Sequence, residues 1–452
     1  MDEFDLVVTG GEIATVHGLR RAGIAIRAGR VAGWLDHGAS TGRARVIDAA
    51  GRVVMPGLVD AHVHFREPGL THKEDFQSGT AAAAAGGVTT ALVMPTDDPL
   101  TLTAADLVAK RHLAEGRLHV DIGLQAAATG PDHVAALAAE GAVSIEVFLG
   151  DVPPALLVND TGRLAAILRA ARDVGLVVGV SPADDGVIAA ARASCGEGRL
   201  AFFKSRPTLS EAAGTALAVA AAADTGAALH LRQITCRASL AFLRDARRHG
   251  LDVTGETTPH YLLLDEQEIE RQGPWAKVLP PLRPEADRDA LWAALRDGAL
   301  DMVVTDHAPH TEEEKRAGLD DILAAPGGFP GVQTLLPLLL EAVAAGRIAW
   351  ADLLRLCCEA PARRFGLHPR KGSLEPGADA DLVIVDPARN ATIRNEDQLS
   401  RARATPFAGR AIRGWPVLTM LRGGIVAREG QVTGAPRGQF LARAGSRPFP
   451  AS

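Results

Sequence analysis

The amino-acid sequence predicts an α/β protein, a (β/α)₈ TIM-like barrel with a small β-sandwich domain formed by both termini. Two observations support this prediction. The middle of the 452-residue chain holds eight apolar runs of strand character, separated by Ala- and Leu-rich stretches of helical periodicity. Short strands punctuated by glycine precede and follow that region. Strand and helix alternating over this length indicate a parallel sheet with crossover helices.

The two ends of the chain share a pattern of short predicted strands. Strands are predicted at 5–9, 23–26, 30–33 and 46–48, and again at 379–386 and 423–426. We therefore expect residues 1–54 and 370–433 to be the two parts of the sandwich. Residues 55–369 should form the barrel, and residues 434–452, rich in Gly, Pro, Arg and Ser, a loosely ordered tail.

The predicted barrel strands define where chemistry should occur, because catalytic residues of such barrels collect at the carboxyl-terminal ends of the strands. The eight runs are 58–65, 89–95, 118–126, 143–149, 175–181, 227–234, 251–258 and 299–307. Helical stretches between them include 77–85, 164–174 and 286–295.

Composition argues against several classes of function. A net charge of −6, with no basic run interleaved with aromatic residues, argues against a nucleic-acid surface. No apolar run reaches the roughly 18 residues that a membrane span needs, and the first five residues are acidic where a signal peptide would be basic. The four cysteines have irregular spacing that matches neither a disulfide framework nor a zinc knuckle. A cytoplasmic protein is expected.

Candidate metal ligands stand at three of the predicted strands. His62 and His64, two residues apart on the first strand, leave the same face and can bind one divalent ion. The fourth strand carries Glu146, and the eighth ends in Asp306. Two imidazoles and two carboxylates make a credible site for a metal such as zinc. Taken singly, Glu146 has the alternative of an ion pair with a core Arg or Lys, and Asp306 that of a helix cap or salt bridge.

Longer blocks of sequence resemble the cyclic amidohydrolases, which include dihydroorotase, allantoinase and hydantoinase. They run nearly end to end and comprise residues 56–69, 73–75, 79–90, 258–260, 280–283, 306–310 and 377–383. The resemblance implies a metal-dependent hydrolase that opens a cyclic amide, imide or ureide by attack of an activated water. It also implies a homodimer or homotetramer.

The resemblance further implies an altered metal site. These enzymes usually hold two metals, bridged by a carboxylated lysine on the fourth strand, with histidines of strands five and six completing the second site. Glu146, Ser181 and Gln233 occupy those three positions here. The implied site is therefore a single ion, Zn²⁺ by expectation, on the four ligands named above, with Asp306 also acting as general base. Asp184 or Asp185 is an alternative ligand for a second ion, although a loop turn is the plainer interpretation.

The resemblance also implies the substrate contacts. Arg66 stands where dihydroorotases bind the substrate carboxylate, whereas Thr96 and Leu279 replace two asparagines of those enzymes, and Asp97 and Asp98 add negative charge nearby. The expected substrate is thus a cyclic amide that may carry a carboxylate, and the candidate substrate-binding residues are Arg66, Thr96, His260 and His310. His307 and His310 are also candidates for orienting or capping the loop after strand eight.

Two other hypotheses stay open beside the cyclic amidohydrolase. The chain could be a non-catalytic relative that serves as a structural partner, as some dihydroorotase-like chains do beside aspartate transcarbamoylase. It could also be a one-metal, deacetylase-like hydrolase of an open-chain amide. The amount of bound metal and the preference for ring or open-chain amides distinguish the three.

Overall fold

The computed structural model describes residues 4–443, and the structural statements below concern these residues. The first part of the chain forms short strands joined by tight turns. They are β1 (Leu6–Thr9), β2 (Glu12–Thr15), β3 (Gly18–Arg27), β4 (Arg30–Asp36), β5 (Arg45–Asp48) and β6 (Val53–Pro56).

The barrel strands follow, all paired in parallel. They are β7 (Leu58–Val63), β8 (Val88–Val93), β9 (Asp121–Leu124), β10 (Ala126–Ala127), β11 (Ile145–Phe148), β12 (Val178–Ser181), β13 (Leu229–Leu231), β14 (Val253–Thr257) and β15 (Met302–Val303). Strands β7 to β9 form one sheet and β10 to β15 another, with β9 and β10 sharing the third position of the barrel. A bridge between Val63 and His307 joins the eighth position to the first. The eight predicted runs each contain one of these positions, so the predicted barrel is confirmed.

Helices cover the outside of the barrel. They are α1 (Phe76–Ala85), α2 (Ala104–Ala114), α3 (Val134–Ala139), α4 (Thr161–Asp173), α5 (Asp185–Ser194), α6 (Ala201–Lys204), α7 (Thr208–Thr225), α8 (Arg237–Arg248), α9 (Pro259–Leu263), α10 (Glu268–Gln272), α11 (Glu285–Arg296), α12 (Glu312–Arg316), α13 (Leu335–Ala344), α14 (Trp350–Leu354) and α15 (Ala360–Arg364), with a 3₁₀ turn at Gly273–Ala276 and a π-helical turn at Arg355–Glu359. The predicted helical stretches correspond to α1, α4 and α11. No helix within residues 4–443 has the length and apolarity to cross a membrane.

The remaining strands complete a second β-structure with the N-terminal ones. They are β16 (Leu382–Thr392), β17 (Ala411–Leu421), β18 (Gly424–Arg428) and β19 (Gln431–Val432). The strand order is β19-β18-β17-β16-β6-β2-β3-β1-β5, with β4 paired to β3. Strand β6 joins the two halves by antiparallel pairing with β16, with Val53 opposite Val385. A β-domain built from both termini is thus confirmed, while the segment limits at 54, 369 and 433 stay predictions.

The segment after Gly434 differs from the predicted loosely ordered tail as far as residue 443. The amide of Gly438 donates to the carbonyl of Leu118, and the amide of Leu441 donates to the carbonyl of Ile122, both at 2.7 Å. Leu441 is buried against the barrel. The apolar side chain of Leu441 and these backbone bonds hold the segment against the barrel. The Gly- and Pro-rich composition of the segment gives no sign of these contacts. Residues 444–452 of the predicted tail lie outside the described residues.

Candidate active site

Three ligand atoms converge where the first and last barrel strands end. His62 lies in β7, His64 directly follows it, and Asp306 follows β15. The Asp306 Oδ1 atom is 3.3 Å from His62 Nε2 and 3.2 Å from His64 Nε2. Ligands bound tetrahedrally at about 2.0–2.2 Å from a zinc ion are separated by roughly 3.3–3.5 Å. The structure thus brings together three of the four predicted ligands at spacings that fit one metal ion.

Hydrogen bonds behind the two imidazoles set their orientation. The Nδ1 atom of His62 donates to Glu256 Oε1 at 2.6 Å, which leaves Nε2 facing Asp306. The Nδ1 atom of His64 lies 2.7 Å from Thr96 Oγ1, so Thr96 supports a predicted ligand. Burial opposes a charge on His62, but the Asp306 and Glu256 carboxylates outweigh it and hold the pKa of His62 above its ordinary value. Burial lowers the pKa of His64 to about 3, which favours the neutral form that binds metals.

The structure places Glu146 outside this group, and its predicted role as a metal ligand is corrected. Its two oxygens accept hydrogen bonds from Arg232, at 2.6 Å from Nη2 and 3.0 Å from Nε, and Ser144 Oγ donates to it at 2.6 Å. Glu146 pairs with Gly179 on the next strand, and a Cβ atom at Gly179 would lie 2.2 Å from Glu146 Oε2. The absence of a side chain at Gly179 lets the carboxylate reach across to Arg232. The alternative of an ion pair with a core arginine therefore describes Glu146.

The two positions implied for a second metal, Gln233 and Ser181, hold side chains other than histidine, and the structure shows their contacts. Gln233 donates its Nε2 hydrogens to Asp306 Oδ2 at 2.5 Å and to the carbonyl of Leu279 at 3.1 Å. It therefore presents an amide donor where a metal would need an acceptor. Ser181 ends β12 and lines the cavity described next. Asp184 accepts a hydrogen bond from the amide of Val187 and caps α5, in agreement with the turn interpretation.

The three converging atoms open into a cavity of about 580 Å³, a volume typical of small-molecule sites. Polar side chains, among them those of Arg66 and Gln233, line the part next to Asp306. Apolar side chains contribute much of the remainder, including Leu100, Phe148, Leu156 and Leu279. The cavity therefore combines polar groups where the ligands converge with apolar surface, as suits a small organic molecule.

Comparison with known proteins identifies the family. The model described as "Amidohydrolase family" matches residues 53–426. The chain belongs to the amidohydrolase family. This family member is 35% identical to an allantoinase of Streptomyces avermitilis, over 98% of this chain and 100% of that protein, and 38% identical to a dihydroorotase of Halobacterium salinarum, over 82% of this chain and 85% of that protein. Its structure is similar to that of an L-hydantoinase from Arthrobacter aurescens, with a TM-score of 0.94 and 31% identity over 97% of this chain and 100% of the other. The resemblance found in the sequence is confirmed at the level of family and fold.

Arg66 places a fixed positive charge in the cavity of this amidohydrolase family member. The side chain is buried, donates from Nε to the carbonyl of Pro309 at 3.3 Å, and has Nη2 3.2 Å from His310 Nε2. Within residues 4–443, no carboxylate lies within 4.0 Å of the Arg66 guanidinium. The negative charge predicted nearby is compensated, because Asp97 forms a buried ion pair with Lys110 and Asp98 is exposed. A buried cation that has no carboxylate in direct contact is suited to an anionic ligand.

The remaining predicted histidines have different surroundings. His310 lines the cavity, and burial together with the charges of Arg66, Lys315 and Lys73 holds its pKa far below the ordinary value. His260 is buried edge-on against Phe329 and is not among the described residues that line the cavity, so its predicted substrate contact is not seen. The Nδ1 atom of His307 accepts a hydrogen bond from the amide of Gly331 at 3.1 Å, in keeping with the loop role considered for it.

Sequence reasoning missed two residues that support the ligands, Glu256 and Arg232. Both lie at predicted barrel strands and both are fully buried. A charged residue in a buried strand is itself the signal, because an isolated charge there is costly and requires a partner. For Glu146 this argument predicts an ion pair with a core arginine or lysine, and Arg232 is that partner.

A loop beside the cavity is held by a buried lysine. Lys315 Nζ donates to the carbonyls of Lys277 and Pro326, both at 3.0 Å. Pro326 and the following Gly327 line the cavity, and Gly327 accepts a hydrogen bond from His310 at 3.2 Å. Burial, with the charges of Lys277 and Arg66, lowers the pKa of Lys315 to about 7.

Lys315 should make stability depend on pH. Its folded-state pKa of about 7 lies below the ordinary 10.5, so between these values the unfolded chain binds more protons and stability rises with pH. We expect the free energy of unfolding of the native chain to increase more between about pH 7 and about pH 9 than that of Lys315→Met. Denaturant unfolding at both pH values measures this difference. Equal increases in the two proteins would contradict the assignment.

Proposed function

We propose that this chain hydrolyses the ring amide of a small cyclic amide, imide or ureide that carries a carboxylate. One divalent metal ion, Zn²⁺ by preference, would be held by His62, His64 and Asp306. The observation that supports this proposal most is the convergence of those three ligands near the guanidinium of Arg66, which has no carboxylate in direct contact. The names of the relatives, allantoinase, dihydroorotase and hydantoinase, support a cyclic amide as the substrate class.

Asp306 has two tasks in this proposal, one for each oxygen. When bound, a zinc ion would act as a Lewis acid that polarises the amide carbonyl and lowers the pKa of water. Oδ1 lies beside both imidazoles, Oδ2 accepts the amide hydrogen of Gln233, and the Asp306 side chain lines the cavity. Asp306 takes the proton of the attacking water and delivers it to the leaving ring nitrogen. The hydrogen bond from Gln233 fixes the plane of the carboxylate during this transfer.

Arg66 provides the orientation of the substrate. A guanidinium can bind a carboxylate through two parallel hydrogen bonds, which fixes both the position and the rotation of the ring. The neutral His310 beside Arg66 adds no charge that would compete for the substrate anion. The apolar side chains of Phe148, Leu156 and Leu279 offer a surface for the face of the ring. The homodimer or homotetramer implied by the resemblance stays a prediction.

Metal content and substrate range together test the proposal. Elemental analysis of the protein purified with zinc should give about one ion per chain, as for a catalytic site with three protein ligands. Activity should then be found among carboxylate-bearing cyclic amides, with open-chain amides as the matched comparison. Two ions per chain would contradict the account of Gln233 and Ser181. No bound ion under zinc-replete conditions would favour a structural partner, and activity confined to open-chain amides would favour the deacetylase-like alternative.

A further inference from the structure

We propose that Arg232 is a positioning residue for the metal site, because it fixes the carboxylate of Glu256 and thereby the metal-binding face of His62. This inference rests on the metal site of the proposed function. It concerns a residue that contacts neither the three ligands nor the cavity.

The surroundings of Arg232 hold its guanidinium in one place. The residue follows β13 and its side chain is fully buried. Its five N–H groups, the complete set that a guanidinium has, all donate to buried acceptors. Nη1 donates to Glu256 Oε2 at 2.9 Å and to the carbonyl of Ala61 at 3.0 Å, Nε donates to Glu146, and Nη2 donates to Glu146 and Gln125. With every donor used, the guanidinium has no second orientation of equal energy.

Glu256 transmits this constraint to the metal ligand. Its Oε2 atom accepts from Arg232 and, at 2.9 Å, from His230 Nε2, while its Oε1 atom accepts from His62 Nδ1. Rotation of the carboxylate would break all three bonds together. Because Glu256 is an acceptor only, the proton of His62 stays on Nδ1 and the lone pair of Nε2 is presented toward Asp306.

Arg232 gives Glu256 a positive charge, which His230 does not. Burial lowers the pKa of His230 to about 4, so its imidazole is neutral and gives Glu256 a hydrogen bond without a charge. The guanidinium is therefore the permanent positive charge that balances Glu256 in a fully buried position. Without it, the buried carboxylate would lose its balancing charge and two of its hydrogen-bond directions would change, so it would be expected to move and to release His62.

The other carboxylate on Arg232 provides a matched control. Glu146 binds the opposite edge of the same guanidinium, and its other partner is Ser144 rather than a metal ligand. Glu146→Gln removes a buried charge from Arg232 but leaves the path through Glu256 to His62 in place. A general loss of packing or charge balance would affect both sides of the guanidinium alike, whereas positioning of His62 depends on one side.

The experiment compares zinc affinity among the native chain, Arg232→Lys and Glu146→Gln, by competition with a chromophoric chelator. The lysine keeps the charge but cannot span both carboxylates. We expect Arg232→Lys to bind zinc about 10–100-fold more weakly than the native chain, and Glu146→Gln to differ from it by less than about threefold. The visible absorption of bound Co²⁺, which reports ligand geometry, should change in Arg232→Lys and stay unchanged in Glu146→Gln. Thermal unfolding of the metal-free proteins shows which variants are folded.

The outcomes separate this inference from the proposed function. A native chain that takes up no ion would overturn the proposed function and the inference together. A native chain that binds zinc, with Arg232→Lys equal to it in affinity and Co²⁺ spectrum, would overturn the inference alone. Equal weakening in Arg232→Lys and Glu146→Gln would also overturn it, as a structural effect. If Arg232→Lys does not fold alone, Arg232→Lys combined with Glu146→Gln is compared with Glu146→Gln, and the same weakening is expected.

Discussion

Replacing Asp306 by asparagine should abolish retained zinc and lower kcat/KM by on the order of 10²–10⁴. The reason is that one side chain performs two tasks in the proposal: Oδ1, beside both imidazoles, holds the ion, and the carboxylate, which lines the cavity, takes the proton. Asparagine keeps the size but loses the charge that binds the ion and the base that accepts the proton. It also sets an amide against the amide of Gln233, which now donates to Oδ2 at 2.5 Å. Elemental analysis after dialysis, with steady-state kinetics, measures both effects.

Glu146→Gln is the control for this variant. It makes the same change from carboxylate to amide in another buried side chain of the barrel. Zinc content and kcat/KM should both stay near those of the native chain. An Asp306→Asn protein that retains one zinc ion and full activity would contradict the assigned ligand and the assigned base. Loss of zinc in Glu146→Gln would instead restore Glu146 as a ligand.

Replacing Arg66 by methionine should remove the preference for a carboxylate on the ring while zinc content stays unchanged. Hydrogen bonds to charged groups contribute about 1.5–3 kcal/mol each, so losing a bidentate contact lowers kcat/KM for the carboxylated ring by on the order of 10² or more. The same ring without its carboxylate should lose little, since it never made that contact. The measured quantity is the ratio of the two kcat/KM values in native and variant proteins.

Arg206→Met is the matched control for Arg66→Met. Arg206 lines the same cavity and is also buried, but its guanidinium is paired with Asp151. An arginine that is already paired has little charge to offer a substrate, so the ratio should stay close to the native value. A ratio that falls in Arg206→Met and not in Arg66→Met would assign the anion site to Arg206 instead.

The barrel could be predicted because one pattern, an apolar strand followed by a helix, repeats along the middle of the chain. Buried parallel strands such as β8 and β11 consist mostly of apolar residues, and their alternation with helices leaves few other folds. The tail was harder, because two short hydrogen-bonded contacts near Leu441 decide its position and composition does not report them. Such contacts depend on which part of the folded barrel lies next to the segment, and the sequence pattern does not give that.

In the candidate site, too, some features could be predicted from the sequence and others could not. His62, His64 and Asp306 could be predicted, because strand periodicity and the barrel rule place them at one end of the barrel. The partner of Glu146 could not be located from spacing, since it lies two strands away and is reached across Gly179. A glycine in a strand is an ambiguous signal until the neighbouring side chain is known. Periodicity therefore gives the position of a side chain, and its neighbours decide its partner.

The pairing of β6 with β16 affects how the chain can be made in a cell. The two strands are about 330 residues apart in sequence, so at a synthesis rate of roughly 5–20 residues per second β6 emerges about 15–70 s before its partner. During that interval the edge of β6 exposes unpaired amides and carbonyls to other chains. We expect the barrel strands to be available for assembly before the terminal sheet can close, with the segment around Leu441 docking on the barrel after the sheet strands have emerged. Premature termination would therefore leave a nearly complete barrel with an open β-edge, a form prone to aggregation.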